Sequence, residues 1–407
     1  MGKGLFRVFS FILLVWFAEA NSLTKHKILE VERKINRLRK HIVKSIQSED
    51  GDIIDCIDIY KQPALDHHAL RNHTIQMKPT FDPTTETKTT TSSPNKKNEE
   101  LAMTVTQLWK KRGSCPKGTI PVRRIRKREL LKANSIDQYG RKRAQFNETN
   151  NLSVQLANHS KAILIALGYR YLGAQGDIRV FNPSVEKDDE YSSSQVGLIT
   201  GPYYDFESIE SGWAVNPRVY GDRQTRFFTY WTADASNKTG CFDLTCSGFV
   251  QISNEIALGA ALHPISVLDG LPYEITIYIF KDPITSNWWV QYGEKINIGY
   301  WPPELFESLG YNAESVEWGG EVYRRRVGQT PHTATQMGSG KFADYAFGDS
   351  GVIKRMRIHD NSASLKIPEW VETFSDEYNC YDVQYLSDYL EDPEFYYGGP
   401  GRNLLCP

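Results

Sequence analysis

From residue 159 onward, apolar and polar positions alternate in short runs divided by turn residues: YRYLGAQGDIRVFNP, GWAVNP, TRFFTYWTAD, GFVQIS, YEITIYIFKD, NWWVQYGEKINIGYW, EWGGEVYRR and VIKRMRIHD. Aromatic and β-branched residues at period two suit strands whose one face is buried. No amphipathic helix intervenes, so the pattern predicts an all-β domain over 159–407, an antiparallel two-sheet β-sandwich, with no internal repeat. Earlier in the chain the period changes. Ile28, Val31, Ile35, Leu38, Ile42 and Ile46 recur at three- and four-residue steps, which predicts an amphipathic helix over 26–47. DGDIIDCIDIY (51–60) then predicts a strand, giving a smaller mixed α/β domain over 21–143. Within it PTTETKTTTSSPNKKNEE (83–100) has no apolar residue and reads as a disordered surface loop.

The first twenty residues read as a targeting segment. Lys3 and Arg7 precede FSFILLVWF, and Ala18-Glu19-Ala20 supplies small residues for cleavage, so residues 1–20 predict a secretory signal peptide. That run is too short to cross a bilayer, and no other stretch is long and apolar enough for a membrane span. Six cysteines, Cys56, Cys115, Cys241, Cys246, Cys380 and Cys406, form an even set suited to an oxidising compartment. Fifteen connectivities are open; the simplest follows chain order, Cys56 with Cys115, Cys241 with Cys246 and Cys380 with Cys406. Glycosylation sequons stand at Asn72, Asn147, Asn151, Asn158 and Asn237. There is no CxxC and no HExxH, and five of the nine histidines precede residue 74, so no metal or cofactor is indicated.

A net charge of -1 conceals a division: residues 1–143 hold 29 Lys plus Arg against 15 Asp plus Glu, and residues 144–407 hold 19 against 34. A basic N-terminal part is expected to dock on an acidic C-terminal part and to detach as carboxylates are protonated. Residues 110–143 carry 13 basic and 2 acidic residues. An exported chain seldom meets nucleic acid, so this stretch is read as a linker where a propeptide is cut away.

Three candidates for chemistry remain. FGDSGV (347–352) matches the GDSG around a serine-protease nucleophile, with His263 and His332 preceding Ser350, but neither histidine has that family's context and Asp-Ser-Gly is an ordinary turn. The second candidate is a pair of acids. In VEWGGEVYRRR (316–326) period two puts Glu317, Gly319, Glu321 and Tyr323 on one strand face, and in DFESIESGWAVNP it puts Ser208, Glu210 and Gly212 together. Two glutamates facing across a concave sheet share a proton, one activating water and the other polarising an amide carbonyl, which works best in acid. The third is an aromatic surface: Trp288-Trp289, Trp301 and many tyrosines fill a core or line a groove.

In succession, IESGWAVNPRVYGD, TRFFTYWTADASNKTGCFDLTCSGFVQ, NWWVQYGEKINIGYWPPELF, VEWGGEVY and HTATQMGSGKF resemble the C-terminal domain of the plant neprosin family of secreted glutamic peptidases. The segments VKSIQSEDGDIIDCIDIYKQPALDHHALRNHTIQMKP and SCPKGTIPVRRIRK resemble that family's activation domain. The resemblance implies a zymogen with a β-sandwich catalytic domain, a prosegment that inhibits its own enzyme until removed in acid, and a peptide or protein substrate cut after proline. Carried over by motif, the glutamates are Glu210 and Glu321, with Glu317 as the second choice of partner because it shares the strand face. The apoplast, the cell wall or the vacuole is the implied location. Two other readings stay open, a secreted glycoside hydrolase, which also uses two carboxylates, and a catalytically silent β-sandwich binding module.

Overall fold

The computed structural model describes residues 25–81, 105–142 apart from 134, 158–324, 330–345 and 349–407 apart from 363 and 389. The signal segment, the insert at 83–100, and Asn147 and Asn151 lie outside the described residues.

The predicted strands form, and they stack as two sheets. The first has seven strands in the order Cys241–Phe242, Arg226–Thr232, Glu207–Val215, Tyr191–Thr200, Ser315–Tyr323, His159–Ala166, Val371–Ser375. The second has nine, with Gly173–Arg179 at its centre between Glu274–Lys281 and Gly351–His359. Trp213 and Trp318 leave the first sheet on its inner face, fully buried, and each turns its indole N–H across the core to the second. Trp213 Nε1 donates to Arg179 O and Trp318 Nε1 to Gln175 O, both at 2.9 Å. A large apolar ring thus fills the space between sheets while its one polar atom is satisfied. Trp288, Trp289 and Trp301 are also fully buried, so these tryptophans belong to the core rather than to a groove.

The N-terminal part is a three-stranded sheet of Ile42–Gln47, Ile53–Asp58 and Thr119–Arg123, flanked by helices at 25–39 and Lys127–Lys132. Here the sequence reading needs two corrections. The helix ends at 39, and Ile42 and Ile46 belong to a strand paired with Ile53–Asp58. The apolar steps of a helix and of the following β-branched strand happen to run together. Residues 110–142 are not an open linker: they form a 3-10 turn, a strand and a helix, with Arg123, Glu129, Tyr139 and Lys142 buried. Disulfide Cys56–Cys115 ties this part together, Cys241–Cys246 closes a tight loop and Cys380–Cys406 anchors the C-terminus.

The basic part docks on the β-sandwich through specific pairs, one of which reverses the general charge trend. Arg226 of the sandwich is fully buried, with Nη1 2.5 Å from Asp52 Oδ2 and Nη2 2.7 Å from Asp222 Oδ2. Farther along, Thr80 N and Thr80 Oγ1 both donate to the Asp282 carboxylate at 2.6 Å. Burial opposes ionisation of Asp282, but these donors and the Ile284 and Thr285 N–H groups outweigh it and hold the carboxyl down at about 2. Removing one partner of a buried ion pair leaves the other charge uncompensated. Asp52→Ala therefore lowers the unfolding free energy of the full-length protein by roughly 3 kcal/mol, seen as a lower urea midpoint by fluorescence of the buried tryptophans.

Candidate active site

The cleft lies on the outer face of the seven-stranded sheet, and strand pairing fixes which side chains meet there. Glu210 is in register with Gly197, and Gly197 with Glu317; Glu321 is in register with Ser193. A Cβ at Gly197 would sit 3.4 Å from Glu210 Cγ, in van der Waals contact with the glutamate. Gly319, beside Glu321, has φ +147, and a Cβ there would come within 2.3 Å of Ala162 O. Its neighbour Gly320 serves the other face, where a Cβ would collide with Met337. The Gly-Gly pair thus meets two separate needs, a bare cleft floor and close core packing.

Glu210 and Glu321 are brought together by a third residue that sequence reasoning missed. Lys142 Nζ is 2.5 Å from Glu210 Oε2 and 2.9 Å from Glu321 Oε2, and all three side chains are buried. The ammonium also lies 4.8 Å from the Tyr230 ring centre and 6.0 Å from that of Phe242. Its loop is held by the disulfide-closed turn, where Phe242 N donates to Gly140 O at 2.7 Å and a Cβ at Gly140 would overlap Thr245. A cavity of about 30 Å³ remains beside the lysine, bordered by His159, Lys161 and Tyr230.

The two glutamates have unequal surroundings. Glu321 Oε1 is 2.5 Å from His159 Nδ1 and accepts from the Tyr191 hydroxyl, and Gln195 Nε2 donates to Oε2 at 3.4 Å. Glu210 has, besides the lysine, a 3.0 Å bond from Ser208 Oγ. Burial alone would push the Glu321 carboxyl up, but Lys142, His159 and Lys161 more than reverse this and hold it well below its ordinary value. Burial likewise opposes the Lys142 charge, and the two glutamates override it and raise its pKa. Glu317, the second choice of partner, is turned away to Lys161, 2.7 Å from its Nζ. Its carboxylate is occupied by the strand neighbour and does not join Glu210.

Other sequence candidates fall elsewhere. Ser350 is buried at the start of a second-sheet strand, whereas His332 contacts Glu377 and His263 is exposed on a two-residue strand, so no serine triad assembles. Asn72 and Asn237 are exposed, and Asn158 is buried. The signal that marks the missed residues is faint. Lys142 sits inside YGRKRAQ, where one basic residue looks like the next, and Gln195 in YSSSQVGLIT has a polar strand face as its only trace.

A sequence model of the Neprosin family matches residues 188–400, and one of the Neprosin activation peptide matches residues 45–164. The chain belongs to the neprosin family. It is a glutamic peptidase that carries its own activation peptide. Among solved structures, a scytalido-glutamic peptidase with a transition state analog inhibitor is 12% identical, covering 59% of this chain and 98% of that one at a TM-score of 0.33. SCP-B of the Eqolisin family, in complex with the tripeptide Ala-Ile-His, is 9% identical, covering 59% and 97% at a TM-score of 0.30. Both likenesses are distant. Among the described residues no helix is long and apolar enough to cross a membrane.

The ion pair makes the docked state of this neprosin-family chain pH-dependent. Because the Glu321 carboxyl is depressed, its contribution to docking is complete above the ordinary value of 4.5 and is lost as pH falls through the lowered one. Lys142→Met removes the cation from between the carboxylates. The uncleaved variant is predicted to hydrolyse peptide near pH 5, where uncleaved wild type is silent, in a fluorogenic assay of the full-length protein with its linker intact.

Proposed function

We propose that this protein is a secreted, acid-activated glutamic endopeptidase whose Glu210 and Glu321 form the catalytic pair. The observation that carries the reading is the single ammonium held between these two carboxylates, because a site that binds Lys142 Nζ there has the size and acceptors to bind a water molecule. When the prosegment leaves, the cation leaves with it. Two carboxylates this close cannot both stay ionised in a buried site, so one takes a proton. Glu321 keeps His159, Tyr191 and Gln195 as partners and stays anionic; Glu210 keeps Ser208 and becomes the acid.

The chemistry follows from that asymmetry. Glu321 takes a proton from the bound water, whose oxygen attacks the peptide carbonyl carbon while the Glu210 carboxyl hydrogen-bonds to the carbonyl oxygen. The π electron pair moves onto that oxygen. Collapse of the tetrahedral intermediate re-forms the carbonyl and breaks the C–N bond as the departing nitrogen takes the proton held by Glu321, which leaves Glu321 anionic and Glu210 protonated as at the start, with the acid and the amine as products. Tyr230 and Phe242, which flank the lysine, offer flat apolar faces to a substrate side chain and support the preference for proline that the family resemblance implies. The N-terminal apolar run and the three disulfides support secretion.

Cleavage of a peptide library by acid-activated protein, with cut sites read by mass spectrometry, tests this. Glu321→Gln and Glu210→Gln should each lower turnover by at least about 10³-fold, with wild-type cuts clustering after proline. Wild-type turnover in either variant would refute the pair.

A further inference from the structure

Between the two glutamates the cleft floor is formed by Gln195, whose side chain the fold does not account for. Gln195 lies in register with Gly212 on one side and Gly319 on the other. Glu210 stands two residues along the first neighbouring strand, and Glu321 stands two residues along the second, in the opposite direction. The amide is therefore rooted at the midpoint of the diagonal joining the carboxylates. Both neighbours in its row are glycine, and neither position accepts a side chain: a Cβ at Gly212 would lie 2.0 Å from Ser194 O, and one at Gly319 2.3 Å from Ala162 O. One long polar side chain thus stands between two positions that carry none.

That side chain is 4% exposed and incompletely bonded. Its Nε2 donates to Glu321 Oε2 at 3.4 Å, and its Oε1 is buried with no hydrogen-bond partner. Leaving such a group unsatisfied is costly, and a merely space-filling position would avoid that cost with an apolar residue. Lys142 covers the floor in the zymogen, so the amide meets new partners only after the lysine has gone.

We propose that Gln195 is a third catalytic residue, acting on the scissile peptide and the attacking water; the proposal rests on the glutamate-pair reading above. One N–H of the amide stays on Glu321. The other donates to the carbonyl oxygen as it becomes an oxyanion, alongside the Glu210 carboxyl, and Oε1 accepts the water hydrogen that Glu321 does not take. No bond to Gln195 forms or breaks, and its contribution is a fixed dipole where charge develops.

The test uses the full-length protein activated in acid. Gln195→Met keeps length and removes both polar atoms. It should lower kcat by about 10²-fold, the usual cost of one oxyanion donor, while KM moves by less than about threefold. Gln195→Glu keeps shape and is expected to regain part of that loss only at lower pH, where the new carboxyl carries a proton and can donate. A peptide with a hydroxyl-bearing tetrahedral isostere at the cut bond should bind Gln195→Met about 10²-fold more weakly. Unchanged kcat in Gln195→Met, or a rise in KM alone, overturns the proposal. If Gln195→Met fails to fold, Gln195→Glu decides, since wild-type activity with an unshifted pH profile overturns it equally. Glu321→Gln is assayed in parallel: full turnover there refutes the glutamate pair itself, whereas a silent Glu321→Gln beside a fully active Gln195→Met refutes only the role of Gln195.

Discussion

Two carboxylates in a buried cleft repel each other, and the rest of the molecule follows from how that repulsion is met. At a separation near 4 Å and an effective dielectric of 20, like charges cost about 4 kcal/mol, before the penalty of taking each from water. Glu210 and Glu321 tolerate this closeness because Lys142 stands between them, and Lys142 tolerates burial because they flank it. That repulsion makes the pair a strong binding site for the lysine.

The sheet is built to keep that problem sharp. Trp213 and Trp318 bind the cleft strands to the second sheet from below, so the strands cannot spread to relieve the repulsion. On the cleft side, Gly197, Gly212 and Gly319 remove the side chains that would shield one carboxylate from the other. A bound cation or a change of protonation relieves the repulsion directly. The prosegment is fastened at other points too, through Asp52–Arg226 and Thr80–Asp282. With Asp282 held at about 2, that outer clasp persists to stronger acid than ordinary carboxylates allow.

Much of the fold was legible because strands announce themselves locally. The alternation in YEITIYIFKD or VEWGGEVY places each residue on a face without knowledge of any partner, and the chain-order pairing of six cysteines is the arrangement the structure contains. Extended motifs singled out Glu210 and Glu321, which the structure brings to one ammonium, whereas alternation equally admitted Glu317. What stayed hidden is what depends on distant pairing. Lys142 lies 68 residues from one glutamate and 179 from the other, and nothing in a run of basic residues marks the one that will be buried. Asp52 and Arg226 escaped notice because an acid in a basic domain and a base in an acidic one vanish in a charge count. The strand at Ile42–Gln47 was missed because its apolar spacing continued that of the preceding helix.

The most direct test of shared-charge control is infrared difference spectroscopy of the buried carboxyl groups, comparing zymogen with enzyme activated in acid and returned to about pH 6, where exposed carboxyls are ionised. The account predicts no protonated-acid band from the pair while Lys142 is in place, one such band after activation, and loss of that band in Glu210→Gln. A spectrum that does not change on activation, or a band that survives in Glu210→Gln, would contradict it.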